Sequence, residues 1–157
     1  MHKGNLIHHI PFKLSFKWLN FVHMSTSVVT YSGNLRTTCT HLSSGKTIIT
    51  DAPIDNHGKG EAFSPTDLVA TSLASCMFTI MGIYCRQHEI SFNHAEARVT
   101  KIMGANPRKI DKIEIRISLE GNNWDELTQK KVIQAGKACP VAKTLEGNVA
   151  IEFIFEK

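Results

Sequence analysis

The sequence predicts an α+β fold. Residues 64–88 form a long apolar run that carries no charge between Leu68 and Cys85, and strand-like alternation occurs on both sides of it. There are no internal repeats and no Gly-rich phosphate loop of a βαβ unit. The expected order is strands, helix, strands, helices, strand, with antiparallel sheets packed on a long buried central helix. A chain of 157 residues with 42% hydrophobic content is large enough to build its own core.

The first strand region, SVVTYSGNLRTTCTHL (27–42), alternates loosely, with Val29, Tyr31, Leu35 and Cys39 on one face and Arg36 on the other. SSGK then provides a turn into TIITDA, so a β-hairpin is expected. The loop PIDNHGKGEAF (53–63) has more residues than a simple connection requires. It lies next to the helix start and is able to carry His57 or Glu61 to a site there.

Ser64 is suited to cap the central helix, Pro65 fits its first position, and Asp67 can meet free backbone N–H groups. From there to about His88, Leu68, Val69, Leu73, Met77, Phe78, Ile80, Met81, Ile83 and Tyr84 occupy nearly every side, which predicts a buried helix. Helical periodicity groups Val69, Leu73, Ile80 and Ile83 with Cys76. Beside them runs a stripe of small residues, Thr71, Ser72, Ser75, Thr79 and Gly82. Such a stripe admits a second backbone at close range, from the same chain or from another subunit.

SFNHAEARVTKIMG and IDKIEIRISLEG read as two antiparallel strands around ANPRK. In the second, Ile113, Ile115, Ile117 and Leu119 face inward while Lys112, Glu114, Arg116 and Ser118 face water. NNWDELTQKKVIQAGKA predicts a helix capped by Asn122 or Asn123, with Trp124, Leu127, Val132 and Ile133 inward. NVAIEFIFEK closes the chain as a strand.

Residues 1–23 stand outside this pattern. They contain Lys3, Lys13 and Lys17 and no acid, and Pro11 with the lysines interrupts their apolar residues, so they form neither a signal-peptide core nor a membrane span. They read as an N-terminal extension before a single domain at 24–157, either an appended or upstream start ahead of Met24 or an amphipathic docking arm. Without those three lysines the chain has 15 basic against 14 acidic residues, a net charge of +1 instead of +4. No basic face for nucleic acid is visible, and no membrane partner is expected.

Cysteines stand at 39, 76, 85 and 139, far apart and without a C-x-x-C pair. With no export signal they are expected to be thiols in a cytoplasmic setting, with no metal site and no cofactor. In GKACPVAKTLEG, Pro140 is placed to start a short helix, so Cys139 falls at or beside its N-cap. There, unpaired N–H groups and the helix dipole favour thiolate, and Lys137 and Lys143 add positive charge. Free cysteine also packs as an inert small hydrophobe. That is the reading for Cys39 and Cys85, and Cys76 is open to either.

Ser64-Pro65, then Leu68, Ala70, Leu73 and Cys76 in a long helix, followed 63 residues later by Cys139-Pro140-Val141, resembles the two-cysteine signature of the OsmC/Ohr family. The likeness spans residues 24–157. It implies an intertwined homodimer with paired central helices and active sites at the subunit interface, which suits the small-residue stripe. It also implies a thiol-dependent peroxidase for organic hydroperoxides in oxidative stress defence, with Cys76 as peroxidatic cysteine, Cys139 as resolving cysteine and a dithiol reductant to reset them.

Family members supply an arginine from the first hairpin, and Arg36 is the candidate here; on sequence alone it reads equally well as a solvated strand residue. Where the hydroperoxidases carry a glutamate, ten residues before the first cysteine, this chain has Thr66. Glu61 and Asp67 are the nearby carboxylates able to restrain Arg36. Met77, Phe78 and Met81 are candidates to line an apolar substrate pocket, or simply a core stripe. Two other functions fit the same residues: a thiol–disulfide redox or sulfur-handling protein, favoured by Thr66, and a non-catalytic module that binds an apolar ligand.

Overall fold

The computed structural model describes residues 25–156. The N-terminal extension expected at 1–23 lies outside the described residues. Strands β1 (Ser27–Gly33), β2 (Arg36–His41) and β3 (Thr47–Asp51) form an antiparallel sheet in that order. The run at 27–42 is therefore itself a hairpin and not one strand. Gly33, Asn34 and Leu35 all take positive φ, at 83°, 52° and 61°. Glycine and asparagine tolerate that region and leucine rarely does. The Leu35 N–H donates to the Tyr31 hydroxyl at 3.3 Å across the turn. Val29 thereby pairs with Cys39, and Arg36 with Asp51.

Helix α1 (Pro65–Gln87) begins as its sequence predicts. The Asp67 N–H donates to Ser64 Oγ at 3.1 Å and the Ser64 N–H to Asp67 Oδ2 at 2.8 Å, a reciprocal capping box. Ala70, Leu73, Ala74, Met77, Met81 and Cys85 are buried, and their spacing of three and four residues draws one stripe along the helix. Burial on all sides, expected from composition, does not occur within one chain: Val69 and Ile83 stay exposed. By length and composition α1 could cross a membrane, but its stripe builds the core.

The second sheet consists of β4 (Glu96–Met103), β5 (Ile110–Ser118) and β6 (Ala150–Phe155). β4 and β5 are antiparallel, and Ile113, Ile115 and Ile117 are fully buried against α1. Each such side chain contributes about 1.5–3 kcal/mol of burial free energy. β6 lies parallel to β5, so this sheet is mixed and not wholly antiparallel. The reason is that two helices, α2 (Glu126–Lys137) and α3 (Pro140–Leu145), intervene and return the chain to the same end of the sheet.

The α2 cap is Asp125, which accepts from the Thr128 N–H at 2.6 Å. Asn122, expected as a cap, instead donates to the carbonyls of His94 and Leu119. Trp124 precedes the helix and donates to the Ser91 carbonyl, Leu127 is exposed, and Val132 is fully buried. The first sheet keeps Val28, Val29, Tyr31, Ile48 and Ile49 exposed.

Candidate active site

Two of the four cysteines meet where α1 and α3 pack. Cys76 is half-buried on α1, and Cys139 is fully buried as the N-cap of α3, where its Sγ accepts the Ala142 N–H at 3.4 Å. Pro140 sets this geometry by starting the helix at its first position. Cys76 lies near enough to Cys139 to raise its pKa, and both thiols are free.

The electrostatics of Cys139 differ from the expected N-cap effect. Burial pushes its pKa up, the Ala142 N–H offsets part of that, and Cys76 adds to the rise. Desolvation exceeds what a short six-residue helix returns, so Cys139 is held as a neutral thiol. The lysines do not reverse this. Lys137 lies over the rings of Phe153 and Phe155 on β6, and Lys143 pairs with Glu146 at 3.1 Å. Cys85 faces the core with its pKa raised by burial, while Cys39 on β2 sits 3.7 Å from Thr37 Oγ1.

Arg36 heads a second cluster. Its Nε donates to Asp51 Oδ1 at 2.6 Å and its Nη2 to Asp51 Oδ2 at 2.7 Å, while Nη2 also donates to Glu61 Oε2 at 2.6 Å. The Arg36 hydrogen bonds hold the Asp51 carboxyl below the usual aspartate range. Glu61 is thus brought to Arg36, as one of the two carboxylates the sequence allowed. Asp67, the other, goes elsewhere.

At the helix start, Lys101 of β4 reaches Asp67 Oδ1 at 2.7 Å, Thr66 Oγ1 at 2.8 Å and Ser64 Oγ at 3.3 Å. Burial opposes the charge on Asp67, but hydrogen bonds from Lys101 and Ser64 together keep its pKa low. Thr66 therefore serves as an acceptor for a lysine. A cleft of about 440 Å³ opens between this lysine, Asp67, Thr71, Val99 and the loop residues Glu61 and Phe63.

Met77 and Met81 are fully buried and pack on α2, so they are core residues within the chain, and Phe78 is half-buried. His57 sits at the end of a 3₁₀ turn, Ile54–Asn56, in the left-handed conformation. Among the described residues no hydrogen bond joins the Arg36 cluster to Cys76 or Cys139, and no group of three His, Cys, Asp or Glu side chains is placed to hold a metal. Sequence reasoning overlooked Asp51 and Lys101. A hairpin folded symmetrically about Ser43 and Ser44 pairs residue 36 with residue 51, which is a readable signal; nothing comparable points to Lys101.

The chain resembles known proteins along most of its length. A family model described as OsmC-like protein matches residues 58–154. A Psychrobacter arcticus 273-4 protein, ascribed in its crystal structure to osmotic stress induction and the detoxification response, shares 50% identity with a TM-score of 0.81, covering 88% of this chain and 100% of its own. An organic hydroperoxide resistance protein, OsmC, from Legionella pneumophila has 16% identity and a TM-score of 0.67, over 85% of this chain and 98% of its own. OhrB of Bacillus subtilis, also an organic hydroperoxide resistance protein, has 18% identity and a TM-score of 0.61, over 84% and 98%. No curated protein matches the sequence. At the lower identities the likeness is one of fold. The family model and the half-identical relative, taken with a fold of two small sheets about a long helix, place the chain in the OsmC-like protein family.

Proposed function

We propose that this protein is a thiol-dependent peroxidase that reduces organic hydroperoxides in oxidative stress defence. The observation that carries the reading is the adjacency of two free thiols, one half-buried and one fully buried. Cys76 as thiolate attacks the terminal oxygen of R–O–OH. The O–O bond breaks, Cys76 becomes a sulfenic acid, and the alkoxide takes a proton to leave as alcohol. The Cys139 thiol then condenses with the sulfenic acid, forming a disulfide and releasing water. A dithiol reductant restores both thiols and leaves as its own disulfide.

In this reading Arg36, steadied by Glu61, stabilises the Cys76 thiolate. Phe78 contacts the apolar group of the substrate, with Met77 and Met81 backing it from the core. The domain at 24–157 works in the cytoplasm as an intertwined homodimer, with the site at the interface. The exposed Val69 and Ile83 of α1 and the apolar residues of the first sheet support that assembly, because a second copy would bury them.

Thr66 favours a second reading, in which the same pair serves thiol–disulfide exchange or sulfur handling without a peroxide. One experiment separates the two. Reduced protein is mixed with stoichiometric cumene hydroperoxide or hydrogen peroxide, and thiol loss is followed with disulfide mapping. Rapid formation of a Cys76–Cys139 bond, faster with the organic peroxide, supports the peroxidase. Survival of both thiols in excess oxidant overturns it.

A further inference from the structure

We infer that Asp51 of β3, and not a carboxylate on α1, is the residue that positions Arg36 for the reaction. The inference rests on the peroxidase reading, in which Arg36 serves the Cys76 thiolate. Arg36 has two carboxylate partners of unequal character. Asp51 is 3% exposed and grips the guanidinium side-on through Nε and Nη2, a planar two-point contact that fixes both direction and rotation. Glu61 is 58% exposed and touches Nη2 alone, from a loop.

Asp51 also organises that loop. Its Oδ2 accepts the Glu61 backbone N–H at 3.1 Å, so the same carboxylate holds Arg36 and the residue that contacts it from the other side. It does so from a strand, as the direct cross-strand partner of Arg36. Among the described residues Nη1 has no hydrogen-bond partner, and the side-on grip leaves that edge for a developing anion. On α1 the corresponding position cannot help: Thr66 is engaged by Lys101 at 2.8 Å, and Asp67 by the same amine. In this chain the support of the arginine has thus moved from the helix to the sheet.

The test is the second-order rate of Cys76 oxidation by cumene hydroperoxide, measured in a single turnover as a function of pH. Asp51→Asn keeps the shape of the side chain and should slow the reaction on the order of ten- to a hundredfold, as loss of positioning does. Glu61→Gln should slow it less than about fivefold, the scale of an exposed ion pair. Combining Asp51→Asn with Arg36→Ala should be no slower than Arg36→Ala alone, since both remove one function. Asp51→Glu should recover part of the rate, and thermal unfolding checks that each variant is folded. A wild-type rate in folded Asp51→Asn overturns the inference if Arg36→Ala is slow. So does a double variant that is slower by the product of the two single effects. If Arg36→Ala itself reacts normally, the arginine's role in the proposed function fails, and this inference with it.

Discussion

Gly136 of α2 lies against Met77 of α1 so closely that a Cβ added to it would stand 2.9 Å from Met77 Cγ and 2.8 Å from Met81 Cγ. The two helices share a backbone approach that only glycine permits. Each Cγ is only two bonds from its own Cα, so those methionine carbons have little room to swing away in a packed core.

Replacing Gly136 by Ala should therefore destabilise the fold. Overpacking costs about 1–3 kcal/mol, and the better helix propensity of alanine returns about 1 kcal/mol. Urea unfolding should show a net loss of up to about 2 kcal/mol, with a larger loss for Gly136→Val. Unchanged stability in both would mean that α1 and α2 are not held at this distance.

The start of α1 offers a second test. Ser64 caps the helix and also accepts from Lys101, so Ser64→Ala removes a cap worth about 1 kcal/mol and strips an acceptor from a nearly buried amine. The measurement is again the unfolding midpoint, and Ser64→Asn, which can still cap the helix, should recover most of the loss.

Acid should weaken the fold through aspartates whose pKa values lie lower in the folded chain than in the unfolded one. Asp51 is lowered by its hydrogen bonds from Arg36, and Asp125 by the Thr128 N–H. For Asp67, burial is outweighed by the bonds from Lys101 and Ser64. The sign follows: their contribution is complete above the ordinary value of 3.8 and is lost as pH falls below it through the folded values. Asp67→Asn should make the drop in thermal midpoint below that pH shallower than in the parent.

The thiols should differ in reactivity. Cys85 and Cys139 are buried with raised pKa values, while Cys39 and Cys76 are partly open. Brief iodoacetamide treatment of the reduced protein at neutral pH, read by peptide mass, should modify Cys76 and Cys39 well before the other two. Early labelling of Cys139 would contradict its burial as a neutral thiol.

Local chemistry made much of this legible. Ser64, Pro65 and Asp67 mark the start of α1 because capping depends on neighbouring residues only, and Cys139-Pro140 announces α3 for the same reason. Alternation along Ile113, Ile115 and Ile117 identifies the buried strand face. Tertiary effects were less visible. Asn34 and Leu35 turn the chain within what alternation presents as one strand, which hides the pairing of Val29 with Cys39, whereas the Arg36–Asp51 pair can be counted from the turn at Ser43 and Ser44. Composition also overstates the burial of α1, since Val69 and Ile83 have no cover within one chain. The expected lowering of the Cys139 pKa failed because a sequence displays the dipole of a helix but not the dryness around it.

The parallel course of β6 bears on how the chain acquires its chemistry during synthesis. Cys139 lies in the crossover between Ser118 and Ala150, and that crossover is anchored at both ends only when Phe153 has paired beside Ile115. Non-local pairing of this kind is late and slow. Cys76, by contrast, is made 63 residues earlier on a helix whose cap is entirely local. A chain interrupted before residue 150 would carry a thiol able to be oxidised with no neighbour in place to trap the product as a disulfide. In the peroxidase reading, such a fragment would drift up the oxidation ladder to the sulfinic acid, while the complete chain stops at a reversible step.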